Sequence, residues 1–104
     1  MVNLINSENF DSEVLGSNQS VFVDFFADWC GPCNKAAPII EELSEEFPDI
    51  KFCKINVDDC NDIATEYGVF SIPTFILFKD GKEVEQIIGV YPKEDFETFL
   101  KKEA

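Results

Sequence analysis

The chain contains no histidine and no arginine. Without histidine, Cys–His and Ser–His nucleophile pairs are excluded, and the commonest metal ligand is missing. Acid–base chemistry must then come from carboxylates, lysine, tyrosine or thiols. Cations are scarce as well: eight lysines face 21 acidic residues, a formal net charge of −13. Phosphate neutralisation needs lysine and arginine, so no nucleic acid and no anionic membrane surface is an expected partner. The acidity reads as a solvated surface, with steering of basic partner surfaces as the sharper alternative. No apolar run approaches the roughly 20 residues of a membrane span. Residues 1–10 carry Glu8 and neither a basic segment nor an apolar one, so no secretory signal is expected and a cytoplasmic location is. No repeat, linker, low-complexity stretch or cofactor-binding motif interrupts the sequence. One domain over residues 1–104, monomeric and without a cofactor, is the expectation.

Apolar residues, by contrast, are plentiful: 45% of the 104 positions, eleven of them phenylalanine. Their spacing alternates between two periods. Ser7 is placed to cap a short helix through Leu15, closed by Gly16. Val21 to Ala27 is a dense β-branched and aromatic run, read as a buried strand. A helix follows from about Pro32 to Phe47, with Ala36, Ile40, Leu43 and Phe47 on one face and Pro38 expected to kink it. Lys51 to Val57 reads as a strand, and Asp59 as the cap of a short helix ending at Gly68. Thr74 to Lys79 and Glu83 to Ile88 flank Asp80-Gly81, a tight-hairpin signal. Pro92 opens a last helix with acids in its first turn and lysines in its last. The order βαβαβαββα predicts an α/β fold: early strands parallel through helical crossovers, the last hairpin antiparallel, helices on both faces of a mixed sheet.

The chemistry concentrates at Trp29-Cys30-Gly31-Pro32-Cys33, where a strand gives way to a helix. Cysteines three apart at a helix start share a face, within reach of a short-span disulfide. Cys30 lies at the helix N-terminus, where free N–H groups and the macrodipole favour a thiolate. Cys33, one turn further in, is expected to be less exposed. Cys30 would attack and Cys33 would resolve. A zinc site would need a second ligand pair, and Cys53 and Cys60 are poorly spaced for one, so no metal is expected. A structural disulfide fits a chain without a signal segment badly.

The run Val23-Asp24-Phe25-Phe26-Ala27-Asp28-Trp29-Cys30-Gly31-Pro32-Cys33 resembles the thioredoxin family. So do Pro38, Lys54-Ile55-Asn56-Val57-Asp58, Ile72-Pro73-Thr74, Lys79-Asp80-Gly81 and Gly89, across essentially the whole chain. The resemblance implies the thioredoxin fold, a five-stranded sheet ordered 1-3-2-4-5 with four helices. It implies protein-disulfide reduction by dithiol–disulfide exchange on target proteins. A thioredoxin reductase would then recycle the Cys30–Cys33 disulfide. A binding module with incidental cysteines, and an oxidase or isomerase of an oxidising compartment, are the rival readings.

Asp24 is an isolated carboxylate in an apolar strand, where burial is costly. It either reaches water at a strand end or is desolvated into a proton acceptor near neutrality. The resemblance places it beneath the cysteines, acting on Cys33. Lys54 either snorkels to solvent or, as the resemblance implies, tunes Asp24. The family likeness also implies a cis Ile72–Pro73 bond beside the disulfide, with Ile72 offering backbone hydrogen bonds to a target strand. Trp29, Gly31, Pro32, Gly89 and Val90 would complete the docking surface. Cys53 reads as a buried inert hydrophobe, and Cys60, at a helix start, as a thiol with some thiolate character that resembles a regulatory thiol of animal-type relatives. Two positions depart from the family: Phe26 stands where many members have tryptophan, and Asn34 where lysine or arginine is usual. Losing that cation is expected to raise the Cys30 pKa.

Overall fold

A computed structural model describes all 104 residues. Its organising element is β2, Ser20–Phe26, whose apolar residues on both sides, interrupted only by Asp24, are explained by cover on both faces. It pairs parallel with β3, Ile50–Asn56, and antiparallel with β4, Thr74–Lys79. β1, Val2–Ile5, lies parallel on the outer side of β3, and β5, Lys82–Ile88, antiparallel on the outer side of β4. The order is β1-β3-β2-β4-β5. Asp80 and Gly81 turn the β4–β5 hairpin with φ of 54° and 76°, the left-handed pair that a two-residue turn requires.

Two apolar layers sandwich this sheet. On one face α1, Gly31–Glu46, and α3, Lys93–Glu103, set Ala36, Ile40, Leu43, Phe96 and Leu100 against Phe22, Phe52 and Phe75. On the other, α2, Asn61–Glu66, and a five-residue helical turn, Asp11–Leu15, pack Ile63, Ala64, Phe10 and Val14 against Val21, Val23 and Phe25. Alternation along β2 therefore assigns Phe22 and Asp24 to the α1 side, and Val23 and Phe25 to the α2 side.

Several local expectations are corrected. Ser7 caps nothing; its hydroxyl donates to Asp62 Oδ1 at 2.7 Å. The first turn is nucleated instead by Asn6 and Asn9, which exchange side-chain bonds with each other's amides at 2.8 and 3.1 Å, a reciprocal box. The turn is wide, closing from the Gly16 amide to the Asp11 carbonyl at 2.8 Å, five residues back. Gly16 has φ −90°, so it is no left-handed cap. A Cβ there would stand 3.2 Å from the Ser12 carbonyl oxygen, a tight approach that glycine avoids. Asp59 does not cap α2; Cys60 holds that position, with no side-chain bond. Pro38 lies inside α1 without ending it, at the loss of one bond to the Asn34 carbonyl.

Candidate active site

The end of β2 passes through Ala27, Asp28 and Trp29 into Cys30, which is the last residue before α1. Its φ and ψ of −85° and 108° are extended, and its Sγ accepts the Cys33 amide at 3.2 Å. Pro32 in the first turn has no amide to leave unpaired, and its ring presets the helical φ. Cys30 and Cys33 are paired as a disulfide, Cα atoms 5.2 Å apart. The first turn of α1 holds no acidic residue that would oppose a thiolate there.

The expected difference in exposure between the two cysteines is not present: Cys30 is 4% exposed and Cys33 3%. Both pack with Ala27 in one small cluster against Phe26, Val57 and Ile72. What separates them is electrostatic, namely the amide aimed at Cys30 and the helix end behind it.

Asp24 is 5% exposed, and its Oδ1 is buried without a hydrogen-bond partner. Burial pushes its carboxyl up from 3.8 to about 7, and the positive charge of Lys54 pulls it part of the way back. It lines a cavity of about 60 Å³ with Val2, Ala37, Ile40, Glu41 and Lys54. Ala37, four residues after Cys33 on α1, is the lining residue nearest the motif in sequence. The volume suffices for a water beside the Asp24 carboxylate. Lys54 sits beside Asp24 in the β2–β3 register but forms no ion pair with it; its ammonium lies 5.6 Å over the Phe26 ring. Phe26, lacking an indole N–H, thus serves as a face for that cation.

The Ile72–Pro73 bond is cis. The Ile72 carbonyl oxygen lies 3.8 Å from Cys30 Sγ, while the Ile72 amide has no partner in the chain. Pro73 is buried, and its carbonyl accepts the Gly89 amide at 2.8 Å, which draws Gly89 and Val90 to the same rim. Gly31 and Pro32 are exposed beside the sulfurs, and Trp29 is 71% exposed with its Nε1–H donating to Asp58 Oδ2 at 2.8 Å. Asn34 uses its amide to hold the turn before the motif, donating to the Asp28 carbonyl at 3.3 Å.

Cys53 and Cys60 are free and buried. Burial pushes the Cys53 thiol up to about 11, as suits an inert core residue. Sequence reasoning passed over Phe70, which is 90% exposed and borders a groove shared with Trp29 and Ile72. Its only signal is a large aromatic in a loop that begins at Gly68.

A strand-to-helix dithiol with a buried carboxylate behind it defines a centre for dithiol–disulfide exchange. The thioredoxin family model matches residues 1–102. Thioredoxin from Chlamydia pneumoniae is 48% identical over 104 residues, covering the whole of both chains. Thioredoxin from Pyropia yezoensis is 44% identical over 97% of this chain and 95% of its own length. Thioredoxin M5, chloroplastic, of Oryza sativa subsp. japonica is 49% identical over 93% of this chain, which spans only 57% of that relative. The chain belongs to the thioredoxin family, whose members are protein-disulfide oxidoreductases. No helix is long and apolar enough to cross a membrane.

Proposed function

We propose that the chain reduces disulfides of target proteins, with Cys30 as nucleophile, Cys33 as resolving thiol and Asp24 as proton acceptor. The observation that carries the assignment is the Cys33 amide donating to Cys30 Sγ at 3.2 Å, a bond strengthened when that sulfur is an anion. The Cys30 thiolate attacks one sulfur of the target disulfide; a mixed disulfide forms and the other target sulfur leaves as a thiolate. Asp24 takes the Cys33 proton through the cavity. The Cys33 thiolate then attacks Cys30 Sγ, the mixed disulfide breaks, and the second target sulfur leaves. Two electrons have passed to the target, and Cys30–Cys33 is oxidised. With its carboxyl at about 7, Asp24 exchanges that proton at little cost near neutral pH. Lys54 tunes this value downward.

Docking would use the unpaired Ile72 amide and the nearby Ile72 carbonyl for backbone bonds to an extended target segment. Trp29, Gly31, Pro32, Pro73, Gly89 and Val90 supply the surrounding surface. Reduction of the spent disulfide is assigned to a separate reductase, of the thioredoxin reductase class, since the chain carries no cofactor motif. A monomer in a reducing compartment such as the cytoplasm suits two core thiols that remain unpaired.

Trapping in lysate tests the division of labour. Cys33→Ser, which can attack but not resolve, accumulates covalent target complexes that dithiothreitol releases. Cys30→Ser accumulates none. Equal trapping by both variants contradicts the roles given to the two sulfurs.

A further inference from the structure

Large apolar side chains on a water-exposed surface lose solvation free energy unless something covers them part of the time. Phe70 is the most exposed of them at 90%, and Trp29, at 71%, faces it across a groove of about 300 Å³. The rest of the lining is mostly apolar, with Val57, Ala64, Val69 and Ile72 alongside the polar Asn61, Thr65 and Asp58. Ile72 links the groove to the sulfur: it lines the groove, and its carbonyl lies 3.8 Å from Cys30 Sγ. A target cysteine attacked at Cys30 thus brings its neighbouring residues within reach of this trough.

The charge of the trough has one sign. Asp58 is its only ionic lining residue, and its Oδ2 accepts from Trp29 while Oδ1 has no partner. The surface beyond belongs to a chain of net charge −13. An acidic target segment is repelled there, and a basic one is drawn in.

We propose that Phe70 is a specificity-determining residue that selects target disulfides flanked by a large apolar side chain, with Asp58 favouring a lysine or arginine next to it. Phe70 and Trp29 clamp the apolar side chain, and the free Asp58 oxygen meets the cation at the rim. The inference rests on the reductase reading above and specifies which targets that reductase prefers.

The test uses symmetric disulfide dimers of short peptides, in which the residue beside cysteine is Leu or Ser and the next is Lys or Glu. The parent protein reduces the Leu–Lys dimer with a kcat/KM about tenfold above the Ser–Lys dimer, the discrimination expected for an apolar side chain in an open pocket. Phe70→Ser brings that ratio close to one, and Phe70→Leu restores most of it. Asp58→Asn, which keeps the acceptor for Trp29, shrinks the Lys-over-Glu preference and its dependence on salt. A Leu-over-Ser ratio equal in parent and Phe70→Ser overturns the assignment. Reduction of a small aryl disulfide, with no flanking residues, is measured alongside: if the parent fails there, the reductase reading itself falls, whereas success there with an unmoved peptide ratio removes only Phe70 from the account.

Discussion

Cys30 and Cys60 occupy the same station on two helices, each the last residue before a first turn, one on α1 and the other on α2. They are almost equally hidden, at 4% and 3% exposed. Position and burial therefore do not distinguish them. Their surroundings do. Cys30 has an extended backbone that swings its sulfur under the Cys33 amide, whereas Cys60, with ψ of 51°, receives no backbone N–H. α1 runs for sixteen residues and α2 for six, so the dipole behind Cys30 is the fuller one. Beneath α1 lies the buried carboxylate of Asp24; Cys60 joins the apolar cluster on the α2 side and lines a hollow with Asn6, Asn56 and Asp59. A cysteine before a helix becomes reactive when its sulfur finds the helix amides and a base stands behind its partner, and residue spacing alone supplies neither.

Replacing each member of the pair gives the widest contrast. Cys30→Ser lowers kcat/KM for disulfide reduction on the order of 10³-fold or more, while Cys60→Ala stays within about twofold. Iodoacetamide labelling of the reduced protein at pH 7, followed by mass spectrometry, marks Cys30 well before Cys60 or Cys53. Comparable labelling of Cys60 would erase the contrast.

Removing the proposed base sharpens it. Asp24→Asn slows resolution of the mixed disulfide by about 10²-fold, measured by rapid-quench release of target. The same substitution moves stability with a definite sign. The folded carboxyl titrates at about 7 against 3.8 in the unfolded chain, so between those values the folded state holds a proton the unfolded state has lost. Stability contributed by this group consequently falls as pH rises from about 4 to about 7, then levels off, at a cost on the order of 4 kcal/mol. Asp24→Asn escapes that cost but buries an amide in the same hollow, leaving it more stable than the parent by about 2 kcal/mol at pH 8. The advantage closes toward pH 4. Urea midpoints at the two pH values check it.

The smallest effect isolates Lys54. Lys54→Met keeps an aliphatic stem over Phe26 and deletes the charge that lowers the Asp24 pKa. The pH profile of resolution moves upward by up to about one unit. No movement would show that Lys54 leaves the carboxylate alone.

Much of this was legible in residue order. The β2 run and the hairpin dipeptide Asp80-Gly81 announced themselves by period and turn chemistry; β2 and β3 each begin and end one residue earlier than expected, β4 has the expected bounds, β5 begins one residue earlier, and β1 was expected only as an element without bounds. Asp24 was legible because one carboxylate among Val23, Phe25 and Phe26 has nowhere inexpensive to go. The cap of the first turn was missed because Ser7, Asn6 and Asn9 are all competent caps, and only tertiary geometry sends Ser7 to Asp62 on α2. The equal burial of Cys30 and Cys33 was not legible: Phe26, Val57 and Ile72, from three separate segments, close over both sulfurs. Phe70 escaped notice for the opposite reason, since a lone aromatic in a loop carries no period to read.

The disulfide bridges residues only three apart. A ring that small removes little freedom from the unfolded chain, about 2 kcal/mol by the chain-entropy estimate against nearly 5 for a hundred-residue loop. Opening it therefore leaves the architecture in place, because the sheet and its two apolar layers carry the load. Charge and discharge can alternate indefinitely on a scaffold that hardly notices, much as a battery terminal changes state while its casing does not.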